Sequence, residues 1–235
     1  MTTPTSFQTA GRTIRMAYQD AGLVQDGDEP NSIQYADGLL RLSDLCNLWQ
    51  TQGLKLWLTS DTSVTLTAGT GTYTFGPTGS TVMTKPVRVL QGYWLSSGGV
   101  RTPLQPISRD EYVRLASTTT QGALSSYYVD KQQSQLSVSV WNPPDATAAT
   151  GTLHLILQLQ ATTPVSLTDN TGFPVEWYMA LRWGLADELY TGQPSAIMSR
   201  CAQRAASFRD ALDSWDVEDA SVTFTPDIRG ASSFR

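Results

Sequence analysis

Histidine occurs once in this sequence and cysteine twice, and those scarcities remove whole classes of chemistry before any motif is sought. A Ser-His-Asp arrangement would have to use His154, which stands in an alternating segment beside Leu153 and Leu155 and is expected to face the more polar side of a strand. A lone histidine supplies no triad geometry, and the G-x-S-x-G turn that exposes a nucleophilic serine does not occur. Cys46 and Cys201 are too few for a disulfide framework and lack the spacing of metal ligands, so both read as buried free thiols. The glycines at 69, 71, 76 and 79 lack the G-K-[ST] ending of a phosphate loop. Asp110-Glu111, Asp187-Glu188 and Glu218-Asp219 are adjacent pairs, and neighbours on a helix point in different directions. Glycoside hydrolases need carboxylates facing each other across about 5 to 9.5 Å, so solvated helix faces explain these pairs better. The expectation is a protein with no catalytic residues, metal or cofactor.

Positive charge is also in short supply. Sixteen basic residues against 21 acidic give a formal charge of −5, which argues against gripping nucleic acid by neutralising phosphates but allows an acidic wall past which DNA slides. No apolar run approaches the ~20 residues of a membrane helix, and MTTPTSFQ has neither the basic segment nor the apolar stretch of a signal peptide. A soluble chain made in the cytoplasm, with no membrane partner, is expected.

What is present is a 40% hydrophobic content, enough for one large domain or two modest ones. SFQTAGRTIRMAYQDAG places Ile14, Ala17, Tyr18 and Ala21 on one helical face, with Ser6 as its cap and Gly22 as its stop. After the break QDGDEPNS, a second helix carries Leu39, Leu42, Cys46 and Trp49, and Gly53 closes it. Near the other end, Pro174 precedes VEWYMALRWGLADELY, whose stripe is Trp177, Leu181, Leu185 and Leu189. Gly192 and Pro194 break the chain before a fourth helix with the seam Ile197, Cys201, Ala205, Phe208, Leu212 and Trp215. The four stripes bury one another most economically in a discontinuous four-helix, bundle-like domain of residues 1–58 plus 172–216.

Between them, residues 59–171 are rich in Thr, Ser, Gly and Val and change to a period of two, which predicts an inserted antiparallel β domain and an α+β fold. Strands are expected at 64–66, 72–75, 87–95, 102–107, 136–141 and 153–160. One short helix interrupts them, announced by SRDE, in which Ser108 and Glu111 are spaced for a reciprocal capping box. The stretch GTYTFGPTGSTVMTKPVRVLQGYWL reads as a hairpin with Gly76, Pro77 and Gly79 at the bend and Tyr73 and Phe75 on one face.

Seven tryptophans and nine tyrosines suit a stacking or sugar-binding surface, but most fall at core spacings. Arg200 and Arg204, one turn apart, and Arg209 lie off the apolar seam of the fourth helix and form a solvated, inter-subunit or DNA-facing strip. The tail VEDASVTFTPDIRGASSFR, residues 217–235, alternates Val222 and Phe224 with threonines and has too little apolar surface to fold alone.

The order ADGLLRLSDLCNLWQTQGLKLW, GTYTFGPTG, TKPVRVLQGYWL, PLQPISRDEYVRLA, SSYYVD, LSVSVWNPP and FPVEWYMALRWGLADELY resembles the head-to-tail adaptor, or head-completion, proteins of short-tailed double-stranded DNA bacteriophages, the group that includes tail tubular protein A. The usual glycine-proline before the paired tyrosines is replaced here by GALSSYY. The resemblance implies a non-enzymatic virion protein made in the host cytoplasm. It would sit at the head-tail junction as a ring, twelvefold as in such relatives, between a portal and a tail nozzle, retaining packaged DNA and lining its exit channel. It further implies a C-terminal arm reaching the portal through Val222, Phe224, Arg229, Phe234 and Arg235. Arg200, Arg204 and Arg209 would then belong to a lumen or inter-subunit face, and Tyr73 and Phe75 to a tail-facing hairpin. Two other classes stay open at this point: a tail-associated peptidoglycan-cleaving enzyme and a sugar- or receptor-binding tail module.

Overall fold

The computed structural model describes residues 9–52, 56–189 and 194–215. Helix α1 (Ala10–Asp20) starts at Thr9, so the expected cap Ser6 lies outside the described residues. Its expected face is the one buried: Ile14, Ala17 and Ala21 are fully enclosed and Tyr18 nearly so. Gly22 follows at φ 70° and ends the helix. Helix α2 (Ser32–Thr51) opens on a reciprocal capping box between Asn31 and Gln34, a device that satisfies two orphan N–H groups at once. Gly53, the expected stop, also lies outside the described residues. A 3-10 turn at Val175–Trp177 leads into α4 (Tyr178–Leu189), and α5 is Ser195–Trp215.

Residues of all four helices share one hydrophobic core, which includes Ile14, Leu42, Cys46, Trp49, Trp177, Leu181, Leu185 and Cys201. The helices approach closely where side chains are missing. A Cβ on Gly38 would stand 2.6 Å from Ile14 Cγ2, and one on Gly184 would stand 2.9 Å from Trp49 Cζ2. On α5, Ile197, Ala205, Phe208 and Leu212 are partly buried against this core, while the side chain of Trp215 lies outside the described part.

The intervening residues build eight strands in the order β1-β8-β4-β5-β6-β7-β2-β3. They are β1 (Thr59–Thr65), β2 (Thr72–Gly76), β3 (Thr81–Val82), β4 (Arg88–Leu95), β5 (Arg101–Ile107), β6 (Ser126–Lys131), β7 (Leu136–Trp141) and β8 (Thr152–Gln158). Between β5 and β6 the short α3 (Arg109–Val113) carries the expected box, with the Ser108 hydroxyl accepting from the Glu111 amide and the Glu111 carboxylate accepting from the Ser108 amide. The fold is α+β. Inward-facing Leu153, Leu155 and Leu157 of β8 share a second core with Tyr73, Phe75, Tyr127, Leu136 and Val138 from the other half of the sheet. The sheet therefore folds over on itself at β5, whose first half pairs with β4 and whose second half pairs with β6.

Two expectations need correcting. The sheet is mixed, because β5 runs parallel to β6 and β2 parallel to β3. The connection from β5 through α3 is long enough to return the chain in the same direction, which a tight turn cannot do. The stretch read as a hairpin does not pair its two long arms: β2 lies against β7, and β4 lies between β8 and β5. Its glycine-proline bend forms a compact loop instead, in which the Ser80 hydroxyl accepts from the Thr74 amide at 2.9 Å and donates to the Thr74 carbonyl at 3.1 Å. That loop sets the two-residue β3 parallel to the end of β2.

A buried polar chain ties the sheet to α2. Arg88 Nε donates to Gln158 Oε1 at 2.7 Å, Gln158 Nε2 donates to the Gln50 carbonyl at 3.1 Å, and the Ala161 amide donates to Gln50 Oε1 at 2.7 Å. Gln158 has no exposed surface.

Candidate interaction surfaces

Helix α5 is fixed to its neighbours by arginines as well as by its apolar seam. Trp183 on α4 sits beneath three guanidiniums, with Arg204 Cζ 4.9 Å and Arg182 and Arg200 Cζ each 5.9 Å from the ring centre. Such a cation attracts the negative face of the indole ring. Arg182 grips both oxygens of Asp20 at the end of α1, Nη2 donating to Oδ1 at 2.6 Å, and Arg200 Nη2 donates to the Asp20 carbonyl at 2.7 Å. Arg209 lies 5.4 Å over Trp49, donates to Gln52 Oε1 and sits 3.6 Å from Asp213.

Of the three arginines expected to form one strip, Arg200 and Arg204 do share a site, and Arg209 belongs to another on the α2 end of the helix. None of them is purely solvated. Sequence reasoning passed over Arg182 and Trp183, although the adjacent arginine and tryptophan of LRWGL were the visible signal. Cys201 is enclosed beside this site, with burial pushing its thiol pKa up, and burial raises that of Cys46 to about 12.

Helix α2 offers a surface of a different kind. Ile33 is 78% and Leu40 68% exposed, and positions 33, 40 and 44 follow one line along the helix. Asp37 is paired with Arg41 at 2.9 Å, whereas Asp44 is exposed and makes no hydrogen bond or ion pair among the described residues. Beside this ridge runs an open, largely apolar groove of about 600 Å³ between Tyr35, Ala36 and Leu39 on one side and Ser166 and Leu167 on the other. Its far wall is held by Asp169, whose carboxylate accepts from the Val165 and Ser166 amides; those bonds hold its carboxyl below the ordinary range. A second, smaller cleft on the other flank is lined by Arg41, Asp44, Leu48 and Glu188.

On the outer face of the sheet, His154 points away from the leucines, as the alternation predicts. It stacks on Tyr93 at 4.7 Å, its Nδ1 lies 3.0 Å from Asp61 Oδ1 and its Nε2 lies 3.2 Å from Thr152 Oγ1. The Tyr93 hydroxyl donates to the other Asp61 oxygen at 2.7 Å, and Arg101 Cζ lies 5.1 Å from the centre of the Tyr93 ring. These contacts tie β1, β8, β4 and β5 together across the sheet. Tyr73 and Phe75 are buried in the β core, so their side chains serve packing within the chain. Val222, Phe224, Arg229, Phe234 and Arg235 lie outside the described residues. Among the described residues no group of three or more His, Cys, Asp or Glu side chains is placed to hold a metal ion, and no helix is long and apolar enough to cross a membrane.

Residues 10–228 match the family described as SU10 adaptor protein. The chain belongs to that family. The match begins at the first residue of α1 and extends beyond α5, so it spans both helical segments and the sheet between them. Membership in the SU10 adaptor family supports a structural component of a phage virion that works through contact with other head and tail proteins. Among curated proteins no significant match is found.

Proposed function

We propose that this chain is the ring adaptor of a phage head-tail junction, docking beneath the portal, completing the head, retaining packaged DNA and presenting a platform to the tail nozzle. The observation that carries the reading is the SU10 adaptor match over residues 10–228. Rings of this kind arise when one surface of a subunit meets a different surface of the next and the rotation closes, and twelve copies would match a twelvefold portal. Residues 1–58 with 172–216 form the adaptor domain, 59–171 the insertion that meets neighbours and nozzle, and 217–235 an arm that engages the portal.

DNA passes through the channel without sequence-specific contact. A chain of net charge −5 repels phosphate overall, so residual binding is weak and vanishes with salt. The arm is tested by deletion from Val217 onward. The truncated protein should melt like the intact one and fail to attach to portal rings, because Val222 and Phe224 supply apolar anchors and Arg229 and Arg235 pair with acidic groups at the rim. Unchanged docking would move portal recognition to the helices.

A further inference from the structure

Both α2 and α5 pack on α4, and each leaves a distinct surface outward. Trp183 marks the side of α4 that faces α5, and Gly184, where a Cβ would stand 2.9 Å from Trp49 Cζ2, marks the side that faces α2. Successive residues point about 100° apart around the helix axis at 3.6 residues per turn. The two helices therefore flank α4 on different sides, and their outward surfaces differ in character. The α2 ridge offers apolar Ile33 and Leu40 beside the carboxylate of Asp44. The α5 face carries a local excess of positive charge: three guanidiniums surround Trp183 against two carboxylates, Asp20, which Arg182 holds, and the half-buried Asp187, and Arg204 has no carboxylate paired with it among the described residues.

We propose that the α2 ridge of one copy docks on the α5 arginine face of the next, a contact that rests on the ring reading above and names its lateral surfaces. The occupant is a second copy because the two faces are complementary in charge and belong to different helices on different sides of α4, as a head-to-tail contact requires. Leu40 lies against the exposed stems of Arg200 and Arg204, and Asp44 pairs with the Arg204 guanidinium. The indole of Trp183 holds that guanidinium in place before the partner arrives, so less side-chain freedom is lost on docking.

The test is sedimentation of the full chain, alone and with portal, for the wild type, Asp44→Arg, Arg204→Glu and an equimolar mixture of the two variants. Each variant alone should associate at least about tenfold more weakly than wild type, since like charges then face each other. The mixture should recover assembly, because every contact in an alternating ring again joins opposite charges. The doubly substituted chain should recover it too. Asp44→Arg should keep the wild-type melting curve, whereas Arg204→Glu, which gives up its place over Trp183, should melt lower yet keep the wild-type far-ultraviolet circular dichroism. If wild type forms rings and the variants form them equally well, this interface is wrong and the ring stands. If the variants fail and neither the mixture nor the double variant recovers, the interface is likewise wrong. A wild-type chain that stays monomeric with and without portal would remove the ring and this contact together.

Discussion

At the scale of single residues, the tryptophans separate structural from surface roles. Trp49 is enclosed between α2 and α4, tilted against Trp177 at 6.1 Å and capped by Arg209. Trp49→Ala should lower stability by about 3 to 5 kcal/mol, the range for emptying a large aromatic site, as read from denaturant midpoints. Phe208, equivalent to Trp49 by spacing alone, is only partly buried, so Phe208→Ala should cost less, about 1 to 2 kcal/mol. Equal losses at both positions would contradict the packing described.

Asp61 supplies a second prediction at this scale. Burial pushes its carboxyl up, but hydrogen bonds from Tyr93 and His154 together with nearby positive charge outweigh that and hold it below the ordinary carboxylate range. A carboxyl depressed on folding contributes stability that is fully present above its unfolded value of about 4 and is lost as pH falls through the lower folded value. Wild type and Asp61→Asn should therefore differ in denaturation midpoint at pH 7 and converge as the pH is lowered below about 4. A constant difference across that range would show that the carboxylate charge is not what Asp61 contributes.

At the scale of elements, the chain between the helices shows how much a sequence can disclose. Helical stripes were legible because burial repeats every three or four residues: Ile14, Ala17 and Tyr18 on α1, and Trp177 in the turn before α4 with Leu181 and Leu185 on it, all face the core as their spacing predicts. The capping box at Ser108 and Glu111 was legible because it depends on residues three apart. Strand pairing was not, since partners are chosen by residues far apart in sequence. The short β3 and the tyrosine strand β6 were passed over, and the parallel neighbours of β2 and β5 carry no local signature. The arginine face on α5 was half legible: Arg200 and Arg204 stood out by their spacing, whereas the Trp183 ring beneath them is supplied by another helix.

The chain of Arg88, Gln158, Gln50 and Ala161 was also hidden, because Gln158 lies on the polar side of an alternating strand and is buried only when α2 covers it. Gln158→Leu removes the side-chain donor to the Gln50 carbonyl between two buried residues, and the acceptor of Arg88 Nε with it. It should destabilise the protein by about 1 to 3 kcal/mol, whereas a solvent-facing glutamine would be near neutral. Thermal melts followed at both near- and far-ultraviolet wavelengths would measure this, and a silent substitution would mean that the link between sheet and helices is not a supporting one.

At the scale of the whole molecule, the contacts among the described residues suit an assembly part. Aromatic and arginine side chains are used to lock elements together, and the apolar side chains left outside the cores include Ile33 and Leu40 on one helix. Membership in the SU10 adaptor family implies contact with other head and tail proteins of a phage virion. If many copies close into a ring at the portal, the mass of the full chain in solution, with and without portal rings, will show it. A closed oligomer, twelve copies per portal ring, is expected at the concentrations at which virions assemble. A chain that remains a monomer in the presence of portal at those concentrations would contradict it.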